Sequence, residues 1–244
     1  MQLSMSGETI ETLLYRNETP VLELKICYPQ IIGPLPKRSE FRFNGFYCNQ
    51  ARNLNRRART EFYHNASEES RIADEEEYGF TLHSLIRSFF VTRLDPRYCS
   101  IALDQYQYFG GTHGMTVRIG NTWDLSTGSQ VPLSYFFYEN IPYRKQILNC
   151  ILKQIEVLKE KEEISFFENP LRKAKQYFDE KNYYLTNRSI VIFYPLYTLA
   201  PYHAGIVSFE IPFEHLNGWV KERKPTETAP YRGSFSSGFE EKLL

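Results

Sequence analysis

The sequence predicts an α+β fold, with two small domains built from mostly antiparallel sheets. Helical segments are few, and only residues 39–62 and 142–158 show a long apolar stripe with helical spacing. Several strand-like stretches follow one another between these helices, joined by turn signals such as DPR at 95–97 and STGS at 126–129. This order favours an α+β fold over a doubly wound parallel sheet, in which strands and helices alternate.

The N-terminal half is predicted to begin with a strand and a long helix. Alternation over residues 21–26 indicates a strand with one wet face, and Pro29 and then GPLP at 33–36 end it. Apolar residues then recur every three or four positions from Phe43 to Phe62, with Ser39 as the expected N-cap. The acidic run at 68–77 closes this region as a loop or a helix end.

Three strands are expected next, and they complete the N-terminal domain. Their sequences are LHSLIRSFFVTRL, YCSIALDQYQYF and GMTVRIGNTWDL. A boundary near residues 125–132 would divide the chain into an N-terminal domain, 8–125, and a C-terminal domain, 126–220.

The C-terminal domain is predicted to contain two helices and a final pair of strands. Pro142 opens the first helix, and NPLRKAKQYFDEKN indicates a shorter second one. The strands RSIVIFYPLY and HAGIVSFEIPF follow, joined by TLAPY. Residues 221–244 are polar with scattered Pro and Gly, and we expect a disordered tail there.

Charge and hydropathy exclude two classes of partner. Lys+Arg and Asp+Glu each number 29 in the 244 residues, so no overall positive field attracts nucleic acid. The basic cluster RNLNRRAR at 52–59 is most simply the solvated face of the first helix. Apolar runs are far shorter than the ~20 residues that a membrane-spanning helix requires. We therefore expect no nucleic acid and no membrane span; the oligomeric state is left open.

The N-terminus and the cysteines bear on the compartment and on metal binding. MQLSMSGETIETLL has no basic segment followed by an apolar one, so we expect a cytoplasmic protein as written, or an extracytoplasmic one if an export segment has been removed. The four cysteines are scattered, which suggests buried free thiols, or one or two bridges in a secreted protein. No His or Cys spacing is typical of a zinc site, so neither a metal nor another cofactor is expected.

The segment YQYFGGTHGMTVR at 106–118 is the first candidate site. Its glycines lead into a strand, which does not match a phosphate-binding loop before a helix. His113 would serve as a general base if Asp104 or Asp124 oriented its ring, yet no serine or cysteine nucleophile stands nearby. The alternative is a hairpin turn in which the glycines supply positive φ and the imidazole bonds the backbone.

Tyrosines make the second candidate site. Tyr194, Tyr197 and Tyr202 lie close together among prolines in FYPLYTLAPYHAG, and Tyr106 and Tyr108 precede the glycine loop. With His113, these tyrosines are our candidate ligand-binding residues, because a fixed aromatic surface suits a sugar ring or a protein partner. Burial in the core is the alternative role for them.

These motifs carry a family resemblance. The run Y-x-Y-x-G-G-x-H-G at 106–114, followed by W-D-L-x-T-G at 123–128, resembles the extracytoplasmic domain pair of RsiV-type anti-sigma factors. A similar pair precedes the catalytic domain of PdaC-type peptidoglycan deacetylases. The later Y-x-L-A-P-Y-x-A-G at 197–205 is similar to the C-terminal signature of the second domain.

The resemblance implies a fold and a class of function. It implies an α+β domain pair whose C-terminal member is similar to a subdomain of heat-shock-cognate ATPases. In the anti-sigma factors this region is a receptor for lysozyme, and the deacetylase chemistry belongs to a domain whose motifs this chain does not show. We therefore expect a non-enzymatic bacterial binding or sensing module for a lysozyme-like protein or a cell-wall glycan. The alternative is a glycan-directed hydrolase or transferase with His113 as general base.

Overall fold

Two β-sheets organise the chain in the computed structural model, which describes residues 2–216 and 220–221. One sheet has six strands and the other has three, and helices cover one face of each. All strand pairs but one are antiparallel, so the predicted α+β class with mostly antiparallel sheets is confirmed. The expected tail lies outside the described residues from position 222 onward.

The six-stranded sheet runs in sequence order from β1 to β6. The exception to antiparallel pairing is β2 with β3, because the helical crossover between them returns the chain to the same end of the sheet. The strands are β1 (Ser4–Arg16), β2 (Thr19–Ile32), β3 (His83–Leu94), β4 (Tyr98–Tyr108), β5 (Met115–Asp124) and β6 (Ser129–Gln130).

The chain begins with a long hairpin, where the sequence predicted only one strand. β1 and β2 pair along nearly their whole length around a turn at Asn17, whose φ is 54°. The predicted alternation in β2 is confirmed, since Leu22, Leu24 and Ile26 are all fully buried. Pro29 does not end the strand, because β2 stays paired with β1 as far as Ile32. β1 was not predicted because it is an edge strand with mostly exposed side chains, so its hydrophobic pattern is weak.

The predicted long helix is present, but it continues further than expected. It comprises α1 (Lys37–Arg57), a π-helical turn (Ala58–Phe62) and α2 (Tyr63–Glu75), so the acidic run lies largely on a helix. Ser39 is not the N-cap: the helix begins after Pro36, and Ser39 is buried against Gly128. The predicted apolar stripe is buried throughout, at Phe43, Tyr47, Ala51, Leu54, Ala58 and Phe62.

The C-terminal part packs two helices on the smaller sheet. Pro142 is the N-cap of α3 (Tyr143–Glu160), as expected for the start of this helix, and α4 (Pro170–Gln176) follows. The sheet contains β7 (Tyr183–Leu185), β8 (Ser189–Tyr194) and β9 (Val207–Pro212) in that order. β7 was not predicted, since three residues are too few to show a periodic pattern.

The two sheets meet where β7 lies across the face of β4 and β5 that points away from α1. Small side chains allow this approach: the amide of Leu185 donates to Ser100 Oγ at 2.8 Å. A Cβ on Gly120 would lie 1.8 Å from the carbonyl oxygen of Tyr183. Tyr98 of β4 also packs into the C-terminal core, so the two predicted domains share buried surface, and their boundary near 125–132 stays a prediction.

Candidate functional site

Two distant loops meet at the junction of the sheets and form one aromatic surface. Residues 109–114, the glycine loop, connect β4 to β5, and residues 195–206, the tyrosine loop, connect β8 to β9. Their side chains, together with the end of β4, make what we call the aromatic cluster. Its members are Tyr106, Tyr108, His113, Tyr197 and Tyr202.

The glycine loop is the turn of a β-hairpin, and its glycines serve two different purposes. Gly110 and Gly111 have φ of 87° and 91°, the conformation expected for glycines in a turn. Gly114 does not have a positive φ, which corrects the expectation for this position. It is small because the ring of Tyr106 lies on it: an added Cβ would be 2.4 Å from Tyr106 Cε2.

His113 is exposed and contacts both loops. Its Nδ1 is 3.2 Å from the carbonyl oxygen of Gly114, and its Nε2 is 2.9 Å from the Tyr197 hydroxyl. The imidazole is also stacked on the ring of Tyr202, with centroids 4.1 Å apart and planes 15° apart. The histidine thus fastens the glycine loop to the tyrosine loop of the C-terminal part.

The middle of the tyrosine loop packs into the C-terminal core, which fixes the position of the exposed Tyr197. Leu199 and Ala200 are 1% exposed in the C-terminal core, and Phe167 donates its amide to the Leu199 carbonyl at 2.8 Å. Tyr197 precedes these buried residues and has a φ of 60°, in the left-handed region that a residue with a bulky side chain rarely adopts. Its side chain is nevertheless 42% exposed.

The tyrosines of β4 complete the cluster. The ring of Tyr106 is half-buried between Gly114 and the tyrosine loop. Burial raises the pKa of Tyr106, and the nearby phenols of Tyr202 and Tyr108 raise it further. Tyr108 donates its hydroxyl to the Gly111 carbonyl at 3.0 Å and so braces the glycine loop.

Tyr194 does not belong to the cluster, although the sequence placed it among the ligand-binding candidates. It is 1% exposed at the end of β8, and its hydroxyl donates to the Ala174 carbonyl of α4 at 2.9 Å. All residues of β8 are buried, since one face of this central strand meets α3 and α4 while the other meets the larger sheet. A ligand at the surface therefore does not reach Tyr194.

The two carboxylates considered for His113 are engaged elsewhere. Asp104 forms a two-point ion pair with Arg118, at 2.7 and 2.6 Å. Asp124 is buried and accepts hydrogen bonds from Ser126 and from the Tyr135 hydroxyl. Burial opposes its charge, but these hydrogen bonds outweigh that effect and lower the pKa of Asp124. Neither carboxylate is a hydrogen-bond or ion-pair partner of His113.

A second histidine lies beneath the glycine loop, and no motif in the sequence singled it out. His83, the first residue of β3, is 2% exposed among the rings of Phe80, Tyr108 and Phe109. Its Nε2 is 3.0 Å from Glu69 Oε2 of α2, outside hydrogen-bond alignment. Burial lowers the pKa of His83, against the opposing effect of Glu69.

The described residues contain neither a cluster of metal ligands nor a helix that could span a membrane. Over residues 2–216 and 220–221, no three His, Cys, Asp or Glu side chains are grouped so as to hold a metal ion. None of the helices in that part of the chain has an apolar stretch long enough to cross a bilayer. The four cysteines are free; Cys27 and Cys99 are buried, whereas Cys48 and Cys150 are half-buried.

Comparison with known families supports the resemblance seen in the motifs. Residues 15–116 match the family model described as deacetylase PdaC. Residues 135–214 match the model of DUF3298, a protein family of unknown function. The chain therefore resembles PdaC-like and RsiV-like domains, as the sequence motifs predicted. Tyr106, Tyr108 and His113 of the aromatic cluster lie in the first matched region, and Tyr197 and Tyr202 lie in the second.

Solved structures show the same fold. A DUF3298 family member from Bacteroides fragilis NCTC 9343 aligns with a TM-score of 0.70 at 15% identity, covering 90% of this chain and 94% of that one. A DUF3298 family protein from Pseudomonas aeruginosa PAO1 aligns with a TM-score of 0.59 at 18% identity, covering 91% and 95%. No curated protein matches the sequence.

Proposed function

We propose that this chain is a non-catalytic binding module that recognises a cell-wall glycan or a lysozyme-like protein through the aromatic cluster. The observation that carries the proposal is Tyr197, a bulky residue at φ 60° whose ring stays 42% exposed. Its hydroxyl contacts His113, and its ring lies beside that of Tyr202. The match of residues 15–116 to a deacetylase PdaC model is what suggests the cell wall.

The backbone of Tyr197 supports a role other than packing. A non-glycine residue in the left-handed region costs about 1–3 kcal/mol when it is bulky. Tyr197 is 42% exposed, so filling the core is not what places the residue in this conformation. Strain of this kind is common where a side chain must be held in a fixed position for binding.

The composition of the surface favours an extended ligand over a small molecule. Tyr197, His113 and Tyr202 offer nearly parallel or mildly tilted rings, with interplanar angles between 15° and 32°. Flat aromatic groups with a polar tip bury a large area on binding and lose little conformational freedom. A sugar chain or a protein loop can lie across such a surface.

The contacts of His113 do not favour the hydrolase or transferase alternative. Both ring nitrogens have partners, a carbonyl oxygen and a tyrosine hydroxyl. A general base needs a partner that orients one nitrogen and leaves the other facing substrate. A ligand in the cell wall would also place the chain outside the cytoplasm, the second of the two compartments considered from the sequence.

The test is calorimetric titration of the purified chain with soluble muropeptides and, separately, with lysozyme. We expect saturable binding of one of them, weakened at least about tenfold by Tyr197→Ala, as for a central aromatic residue of an interface. The matched control is Tyr177→Ala, since Tyr177 is 50% exposed at the end of α4 and takes no part in the ring contacts of the cluster. Absence of saturable heat with both ligands, or equal loss in the two variants, would contradict the proposal.

A further inference from the structure

Arg87 is a buried cation in the middle of the larger sheet. It lies on β3, whose alternate residues face α1, and it is 7% exposed. In that row of the sheet its neighbours are Ile26 of β2 on one side and Gln105 of β4 on the other, followed by Val117 of β5. An arginine at this depth ordinarily has a carboxylate or several carbonyl partners.

Within the described residues, Arg87 has no such partner. Its Nε is fully buried without a hydrogen bond, and no carboxylate of residues 2–216 or 220–221 lies within ion-pair distance of it. Arg87 interacts electrostatically with Tyr47, whose hydroxyl is already engaged with Trp123 and Asn121. Burial accordingly lowers the pKa of Arg87.

The neighbours of Arg87 are covered on one side and open on the other. Leu24 and Ile26 of β2 and Leu85 of β3 are 0% exposed and belong to the cluster packed beneath α1. Phe89, the next residue of β3 on the same face, is also 0% exposed. Towards β4 and β5 the cover ends: Gln105 is half-buried and Val117 is 52% exposed.

This uncovered part of the sheet combines polar and apolar groups. We call it the open strip; it carries two amides from β4 and an apolar row from β5, of which Met115 is 42% and Ile119 38% exposed. The members of the open strip are Gln105, Gln107, Met115, Val117 and Ile119. Ligand sites are mostly apolar with a few polar or charged groups, and an apolar row beside a recessed cation suits an amphiphilic anion.

From these observations we infer that the open strip is a binding site for a ligand with one carboxylate and an apolar group. The carboxylate lies on Arg87, whose guanidinium fork matches its two oxygens. The apolar part lies over Val117 and Ile119. A monoanion fits better than a phosphate, because Arg87 is the cation here and the flanking side chains, Gln105 and Gln107, are neutral.

The first measurement compares the melting temperature of the ligand-free protein with that of Arg87→Met. A buried charge with no counter-ion destabilises the fold, and methionine keeps the apolar stem, so we expect the variant to melt a few degrees higher. Arg59→Met is the control, since Arg59 is exposed on the π-helical turn and should leave the melting temperature unchanged. A lower melting temperature for Arg87→Met would show that the guanidinium is satisfied within the fold and would overturn the inference.

The second measurement uses octanoate as the probe, with octyl phosphate as a comparison. We expect octanoate to shift the Arg87 Nε–Hε resonance and the Val117 and Ile119 methyl resonances saturably, and to raise the melting temperature of the unmodified protein and of Arg59→Met. In Arg87→Met the shifts of the Val117 and Ile119 methyl resonances and the rise in melting temperature should disappear. No saturable shift at these groups in the unmodified protein, or equal methyl shifts in Arg87→Met, would contradict the site. Tighter binding of octyl phosphate would contradict its specificity for a carboxylate.

Discussion

The imidazole of His113 stacks on the phenol ring of Tyr202, with ring centroids 4.1 Å apart and planes 15° apart. The two residues belong to different loops, one from each sheet. Their contact, together with the hydrogen bond between the Tyr197 hydroxyl and the same imidazole, joins the two parts of the chain at the surface. Beneath this surface β7 contacts the larger sheet at two points: the Leu185 amide donates to Ser100 Oγ, and the Tyr183 carbonyl lies against Gly120.

The first prediction concerns the energy of this stacked pair. In a double-mutant cycle with His113→Ala and Tyr202→Ala, we expect a coupling energy of about 0.5–1.5 kcal/mol, as for other stacked rings. The measurement is urea unfolding of the four proteins. A parallel cycle of His113→Ala with Tyr177→Ala should give no coupling. Additive effects in the first cycle would mean that the stacking contributes nothing to stability.

The second prediction concerns Gly120, where β7 of the smaller sheet lies close to β5 of the larger one. In Gly120→Ala the new methyl group would lie 1.8 Å from the Tyr183 carbonyl oxygen, a backbone atom that cannot move alone. We expect a loss of at least about 3 kcal/mol in the free energy of unfolding, because β7 must move away from the larger sheet. Denaturant unfolding followed by tryptophan fluorescence measures it.

Gly45→Ala is the matched control for that substitution. Gly45 lies within α1, and a methyl group added there would meet no atom within 4 Å, so alanine should stabilise the helix by about 0.5–1 kcal/mol. Opposite signs for the two substitutions would support the close approach at Gly120. Equal, small effects would show that the sheets lie further apart at this point.

The third prediction separates the two roles of glycine in the β4–β5 loop. Gly114→Ala should cost about 1–3 kcal/mol because its methyl group displaces the Tyr106 ring. Gly111→Ala meets no atom within 4 Å but has to adopt φ 91°, which costs about 1–2 kcal/mol. Adding Tyr106→Ala should relieve much of the first cost and none of the second. Thermal unfolding of the single and double variants tests this difference.

The fourth prediction concerns acid sensitivity at His83. Since burial lowers the pKa of this imidazole in the folded state, the unfolded chain binds the proton more readily as the pH falls below about 6.5. Stability should therefore be fully present above that pH and decrease below it, by at most about 1.4 kcal/mol per pH unit. The charge of Glu69 opposes this loss without reversing it.

The corresponding experiment measures urea unfolding at several pH values between 8 and 5. His83→Gln should flatten the dependence in this range, because glutamine does not titrate. His64→Gln is the control, as His64 is exposed on α2, and it should keep the slope of the unmodified protein. If His83→Gln shows the same slope, other groups are responsible for it.

Much of the fold was predictable because its elements carry periodic burial. The stripe from Phe43 to Phe62 predicted a helix, and each of its members is buried. Alternation predicted β3 and the central part of β2 for the same reason. The elements that were missed, β1 and β7, are an exposed edge strand and a strand of three residues, and neither carries enough periodic burial to be recognised.

The candidate site was predictable only in part. Both loops were singled out by their composition, and Gly110 and Gly111 have the positive φ that the turn required. Tyr194 and Tyr197 are three residues apart in the same aromatic segment, yet one is in the core and the other at the surface. The sequence alone does not distinguish them, because exposure depends on which elements cover each face of the sheet.

The α+β class, the principal helices and strands, and the family resemblance of the two motifs all follow from the sequence, because they depend on local periodicity and on residue type. Packing of the sheets brings the two motifs into contact and places the Tyr106 ring against Gly114. It also buries Arg87 without a partner among the described residues. These relationships join residues far apart in the chain. They arise when the sheets pack, and no local pattern records them.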